Sequence, residues 1–180
     1  MDLAKIGFNL AKRIDTLLVD PLKNLPLGSF SGQGGAAGTI RRNLAFRNLT
    51  RATMVNLASG QQMAEFLGAT PLSAQQLLAG DGGAVLDPLS QDQRDQLVTN
   101  TPLWFYILRE SELNSGRLGA VGGRIVAEVF HRAIEGSRVS ILRHPEWRPT
   151  LGPNQDTFRM VDLLLFAFEG KEELLNPLGD

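Results

Sequence analysis

The segment RNLTRATMVNLASGQ, residues 47–61, sets an amide and a guanidinium one helical turn apart. Leu44, Asn48, Arg51 and Val55 follow one another at spacings of four, three and four, which puts them on one stripe of a helix. An asparagine side chain donates and accepts hydrogen bonds without charge. An arginine is a permanent cation whose planar fork of donors suits a carboxylate. If the stripe faces inward, the pair could hold a neutral N–H and an anion at one site. If it faces water, Arg47, Asn48 and Arg51 are the solvated side of an ordinary surface helix. Spacing alone leaves both readings open.

Other groups with chemical potential are few. Glu128, His131 and Glu135 share a helical face, at the spacing of a carboxylate–histidine metal motif. Such a site needs a second copy on a facing helix, and the sequence has none. The expected arrangement is a solvated face with Arg124–Glu128 and His131–Glu135 pairs, so no metal is expected. LGAVGGR, residues 118–124, matches neither phosphate-loop pattern and follows no strand. Its glycines are expected to allow close helix packing. WFYIL, residues 104–108, reads as core, and His144, in a proline-rich stretch, as surface.

The elements that must position these groups are helical. The chain has 180 residues, the length of one domain, and its 43% hydrophobic and 21% charged content is that of a folded chain. Net charge is −1 and the basic residues are spread out, which argues against a dedicated nucleic-acid or polybasic membrane surface. Cysteine is absent, excluding disulfides, thiolate metal sites and cysteine nucleophiles. The amphipathic opening has no uninterrupted apolar stretch, and LLLFAF is too short to span a bilayer. A cytoplasmic address without a membrane span is therefore expected.

Along the chain, Leu3, Ile6, Leu10, Ile14 and Leu17 predict a first helix ended by Pro21. A glycine- and serine-rich loop, residues 25–38, leads to a second helix from Thr39 to about Asn56. Ser59, Ser73 and Ser90 each have the position of an N-cap, with Gln76 as a capping-box partner for Ser73 and with Gly68 and Gly80 as stops. Pro102 should kink or split the helix that Ser90 begins. Two further helices end at Gly136 and within DTFRMVDLLLFAFEG, and the tail NPLGD is expected to be loose. The fold class is all-α: several short and medium helices with irregular connectors, residues 1–180 forming a single unit. So many connectors suit a piece of a larger helical protein better than a regular bundle.

Four stretches in chain order carry a resemblance. AKRIDTLLVDPLKNLP, RNLTRATMVNLASGQ, TPLWFYILRESEL with GRLGAVGGRIVAEVF, and PEWRPT with FRMVDLLLFA resemble the animal-type haem peroxidases (the peroxidase–cyclooxygenase superfamily), in their bacterial branch. The second stretch is similar to the family's Arg-Asn-x-x-Arg-Gly-Arg segment. The resemblance covers nearly the whole chain, and corresponds to the C-terminal portion of the catalytic domain.

The resemblance implies roles at matching positions. Asn48 matches the asparagine that accepts a hydrogen bond from the far nitrogen of the proximal histidine, which fixes the ring's tautomer and tunes its basicity as an iron ligand. Arg51 matches the arginine beside the haem propionates. The chain departs from the family at Ala52, Thr53 and Ala58, where glycine, arginine and proline are usual. The distal histidine and arginine and the proximal histidine belong to family segments with no counterpart here, and neither His131 nor His144 takes their place. No catalytic residue is therefore assigned, and the chain by itself is not expected to act on hydrogen peroxide. The expectation is a truncated homologue of a peroxide-dependent oxidoreductase, of the kind engaged in oxidative-stress responses. It would contribute Asn48 and Arg51 to a haem site that an upstream partner segment completes. A second polypeptide carrying the rest of the domain, or a homo-oligomer, would cover the surface so exposed. The alternative is a non-catalytic helical scaffold or interaction module derived from that fold.

Overall fold

The computed structural model describes residues 12–26 and 40–175. Its helices are α1 (Asp20–Lys23), α2 (Leu44–Met54), α3 (Gly60–Phe66), α4 (Ala74–Ala79), α5 (Gln91–Thr99), α6 (Leu103–Leu113), α7 (Ala120–Gly136) and α8 (Met160–Ala167). Single 3-10 turns lie at Ile40–Arg42 and Glu172–Leu175. Among the described residues the only strand-like pairing is an isolated bridge between Ser59 and Pro102. The fold is all-α. No described helix is long and apolar enough to cross a membrane. Two compact units emerge, a larger one of Arg13–Glu128 and a smaller one built on residues 129–175. The division passes through the middle of α7, where the sequence has no linker composition to mark it.

In the larger unit one local device starts three helices. Ser59, Ser73 and Ser90 accept from the amides of Gln62, Gln76 and Gln93, whose side chains bond back to the serine amides. Each box satisfies two helix-end donors that would otherwise lack partners. The first helix expected from Leu3 lies largely outside the described residues, but residues 12–19 are not helical. Pro21 stands in the first turn of α1 instead of ending a helix. Proline lacks only a donor that the first turn leaves unused, so it starts a helix as readily as it ends one. Thr39 also lies outside the described residues. The cap of α2 is Asn43, which accepts from the Phe46 amide at 3.2 Å.

The α5–α6 junction is the meeting point. Pro102 divides the two helices, and Thr101 just before it exchanges hydrogen bonds with Gln61 of α3 at 2.7 and 3.0 Å. Tyr106 of α6 is fully buried on Gly60, where a Cβ would overlap its ring. Its hydroxyl accepts from the Leu72 amide at 2.8 Å. Burial raises the Tyr106 pKa, opposed by the Leu72 amide and assisted by the charge of Glu110. Ala64, Leu77, Leu103 and Val121 complete the buried apolar cluster. Of WFYIL only Tyr106 is fully buried; Trp104, Phe105, Ile107 and Leu108 are half-buried.

Much of the interior is polar. Arg109 and Glu112, one turn apart on α6, are both wholly buried and joined at 2.5 Å. Arg109 also donates to the Ala84 carbonyl at 2.9 Å and lies over the Phe105 ring at 5.2 Å. Its Nε has no hydrogen-bond partner. The Glu112 carboxylate accepts from the Thr16 amide at 2.9 Å and from the Thr16 hydroxyl. Gly80 and Gly83 let the backbone pass this pair, since a Cβ at either would overlap the Arg109 guanidinium or the Glu112 carboxylate. Neighbouring Glu110 accepts from the amides of Val121 and Gly122 at 2.9 and 3.0 Å, a carboxylate cap on the first turn of α7. Gly122 packs against Ile107, the close approach expected of the LGAVGGR glycines.

Among the described residues the smaller unit shows no such centre, and those buried are Ser140, Pro149 and Asp162. Val129, Phe130, Ile141, Trp147, Met160 and Phe166 are each more than half exposed. Helix α8 is apolar around its whole circumference except for Asp162, which accepts from the Arg159 amide at 2.8 Å and its guanidinium at 3.2 Å. The bonds from Arg159 hold the Asp162 carboxyl below its ordinary value.

A buried ion pair costs desolvation on both sides, and removing one partner strands the other. Arg109→Ala is expected to destabilise the larger unit by about 3–5 kcal/mol. Arg109→Met with Glu112→Leu should recover most of that loss, as read from urea unfolding midpoints. Equal losses in the single and double variants would show that the pair itself is required. Stability should also respond to pH. Burial raises the Glu112 pKa, but the Thr16 and Arg109 hydrogen bonds outweigh it and leave the pKa below the ordinary 4.5. A depressed folded-state pKa gives stability that is present above 4.5 and lost as pH falls through the folded value. Thermal melts from pH 6 downward should therefore show the loss beginning below about 4.5, and Glu112→Gln should flatten that limb.

Candidate functional site

Helix α2 carries both residues that the sequence singled out. Asn43 caps its start, and its end is set by Asn56, which takes a left-handed conformation at φ 50°. The Leu57 amide then closes on the Ala52 carbonyl at 2.9 Å. This is why the helix runs into Ser-Gly-Gln: Ser59 caps α3, Gly60 makes room for Tyr106, and Gln61 ties α3 to the α5–α6 junction.

Leu44, Ala45, Asn48, Leu49 and Ala52 form the half-buried side of α2, whereas Phe46, Thr50, Arg51 and Met54 are exposed. Asn48 and Arg51 thus stand one turn apart, but with different surroundings. Arg51 borders a shallow pocket of about 260 Å³ whose other walls are Arg41, Phe46, Arg47, Thr50 and Met54. Asn48 does not line it. The structure therefore groups Arg51 with two further arginines from the same pocket. Among the described residues, no hydrogen bond or ion pair engages the side chain of Asn48, Arg41 or Arg51.

Sequence spacing set Arg47 beside Arg51 only in the solvated-face reading, and missed Arg41 altogether. The signal was present as an absence: between Asp20 and Glu65 there is no carboxylate, while Lys23, Arg41, Arg42, Arg47 and Arg51 all fall there. A net charge of −1 conceals this local excess of cations. The basic residues are spread out in the chain as a whole but not in this stretch. Arg42 is partly spent on backbone, donating to the Leu25 carbonyl at 2.9 Å, and Lys23 pairs with Asp20 at 3.3 Å.

The remaining candidates are dispersed. Glu128, His131 and Glu135 are exposed on α7. The expected Arg124–Glu128 and His131–Glu135 pairs do not form. Arg124 instead donates to the Leu67 carbonyl at 2.8 Å, and Glu135 pairs with Arg132 at 3.4 Å. A helix-end carbonyl lacking an intrahelical partner competes well for a guanidinium against an exposed carboxylate in water. His144 pairs with Glu146 at 3.4 Å on the surface. No group of three or more histidine, aspartate or glutamate side chains stands ready to hold a metal among the described residues.

Around α2, Arg41, Arg47 and Arg51 border the same hollow as Phe46 and Met54, while the Asn48 amide stands on the half-buried side of the helix. This helix offers no described imidazole for iron. Comparison with protein-family models, with curated proteins and with solved structures finds no match for this chain.

Proposed function

We propose that this chain corresponds to the C-terminal part of a haem peroxidase domain, and that α2 forms part of the proximal side of a haem site. The observation that carries the reading is the placement of Asn48 and Arg51 one turn apart on α2, with Asn48 half-buried and Arg51 exposed. Arg51 would hold a propionate through its guanidinium fork, with Arg41 and Arg47 adding to the positive field. The Asn48 carbonyl would accept the N–H of an imidazole supplied by an upstream segment, fixing its tautomer and orientation. Bound haem would supply the iron at which peroxide is reduced. The chain's own residues bind and orient, and none takes the role of the general acid–base or of the cation that peroxide cleavage demands. The partner would be a polypeptide carrying the rest of the domain, in the cytoplasm.

The smaller unit supports a second reading, a non-catalytic scaffold. A helix as uniformly apolar as α8 belongs inside a larger body, and its exposed Met160, Leu163 and Phe166 suit association with another protein.

The two readings separate on mixing. Haem added to the purified chain should give no specific axial ligation under either. Adding the product of an adjacent upstream reading frame should generate a peroxidase-like Soret band and activity only under the first. In that complex Asn48→Ala should weaken the hydrogen bond on the proximal imidazole and shift the haem reduction potential. An unchanged potential removes Asn48 from the site, and a complex that never ligates haem favours the scaffold.

A further inference from the structure

The glycine turn that encloses the Arg109–Glu112 pair carries a reactive link. We propose that Asp81 is a site of spontaneous backbone isomerisation: a succinimide closes onto the Gly82 amide and reopens with water as isoaspartate, loosening the turn around the buried pair. Asp81–Gly82 is the one Asp-Gly pair in the sequence, and there is no Asn-Gly pair. Glycine matters because the attacking atom is the amide nitrogen that follows the aspartate, and no Cβ crowds it.

The structure sets this link apart from the other described aspartates. The Asp81 carboxylate is 66% exposed, and its ionic contact with Arg13, 3.6 Å between solvated groups, is worth little. Among the described residues no hydrogen bond engages the Gly82 amide, and a Cβ built on Gly82 would meet nothing. Arg13 donates to the Asp81 carbonyl at 2.8 Å. A cation on that oxygen stabilises the negative charge that reaches it when the Gly82 nitrogen gives up its proton. Elsewhere the same closure is blocked. Asp20 and Asp87 precede prolines, which have no N–H. Asp92 and Asp95 lie within α5 and Asp162 within α8, where the following amides are committed to helical or capping bonds. The Thr16 amide after Asp15 is held by Glu112 at 2.9 Å. Asp156 shares the exposure, but the residue after it is the β-branched Thr157.

The atoms balance with water alone. The Gly82 nitrogen bonds to Cγ of Asp81, and its proton leaves with the carboxyl hydroxyl as water. Water then adds to one carbonyl of the ring. Breaking the bond from nitrogen to Cγ restores aspartate. Breaking the bond from nitrogen to the original main-chain carbonyl carbon leaves isoaspartate, with a main chain one atom longer and a carboxylate where that carbonyl stood. Bonds on both sides leave the turn little slack for the extra atom. Before the link, the Asp81 amide donates to Glu112 at 3.4 Å. After it, the Ala84 amide donates to the Thr16 hydroxyl at 2.7 Å and the Ala84 carbonyl accepts from Arg109 at 2.9 Å. Gly83 between them lies so close to Glu112 that a Cβ would overlap the carboxylate. A longer link must give up one of these bonds and leave part of the buried pair without a partner. This site is independent of the haem reading, which uses neither Asp81 nor the turn.

Ageing the whole chain for weeks in warm, mildly acidic buffer tests the assignment. The leaving oxygen departs as water from a protonated carboxyl, so closure speeds up as pH falls toward the ordinary aspartate value of about 3.9. Peptide mapping with isoaspartyl-methyltransferase labelling should find isoaspartate at position 81 several-fold above position 156. Asp81→Glu, whose larger ring closes slowly, should abolish the signal with an unchanged circular-dichroism spectrum, because the side chain is exposed. Asp81→Asn should convert faster than the parent at neutral pH and register as deamidation, a readout of the turn's geometry alone. The isoaspartate-containing fraction, separated by ion exchange, should unfold at a lower urea midpoint than the fresh chain and exchange its Ala84 amide hydrogen faster. Isoaspartate no more abundant at position 81 than at 156, or an Asp81→Asn variant that does not deamidate, overturns the site. Isoaspartate that leaves the urea midpoint and the Ala84 amide unchanged overturns its link to the buried pair.

Discussion

A guanidinium and a carboxylate taken wholly out of water tie the larger unit together. Arg109 and Glu112 project from one turn of α6 and reach segments far apart in the chain, the backbone near Thr16 and the glycine turn at residues 80–84. The buried apolar cluster beside them is small, built on Ala64, Leu77, Leu103, Tyr106 and Val121. A core of that size gives loops little reason to adopt one arrangement over another. Directional bonds to a buried charge do, because any other arrangement strands the charge. The neighbouring Glu110 extends the same logic to α7, whose first turn is oriented by a carboxylate from another helix instead of by a local cap.

The two units differ in kind. The larger has a polar clamp, an apolar cluster and serine-capped helices that agree with one another. Among the described residues the smaller has little interior of its own: α8 is apolar apart from Asp162, and Trp147, Phe130 and Ile141 are more than half exposed. A helix of that composition gains little from folding alone, since its burial is where its stability would come from. Both readings of the function would have a further body cover this surface.

Helix α2 unites the functional questions. Its inner side carries Asn48 among small and aliphatic residues, and its outer side carries arginines beside Phe46 and Met54. The proposed haem role would draw on both sides, Asn48 from the half-buried one and Arg51 from the exposed one.

Much of this architecture is legible in the residues alone. Helical periodicity gives the all-α class, and the serine–glutamine spacings give the starts of α3, α4 and α5, because capping is decided within four residues. Pro102 marks the α5–α6 division for the same local reason. Local rules failed where a residue has two uses: Pro21 begins a turn instead of ending one, and Arg124 serves a carbonyl instead of Glu128. What only the tertiary structure decided is which polar side chains leave water. The stretch LRESEL looks like a solvated charged face, yet Arg109, Glu110 and Glu112 are buried while Arg51, within a segment resembling a haem wall, is exposed. Charge burial depends on partners dozens of residues away, such as Thr16, Ala84 and Val121, and no spacing within one helix encodes them.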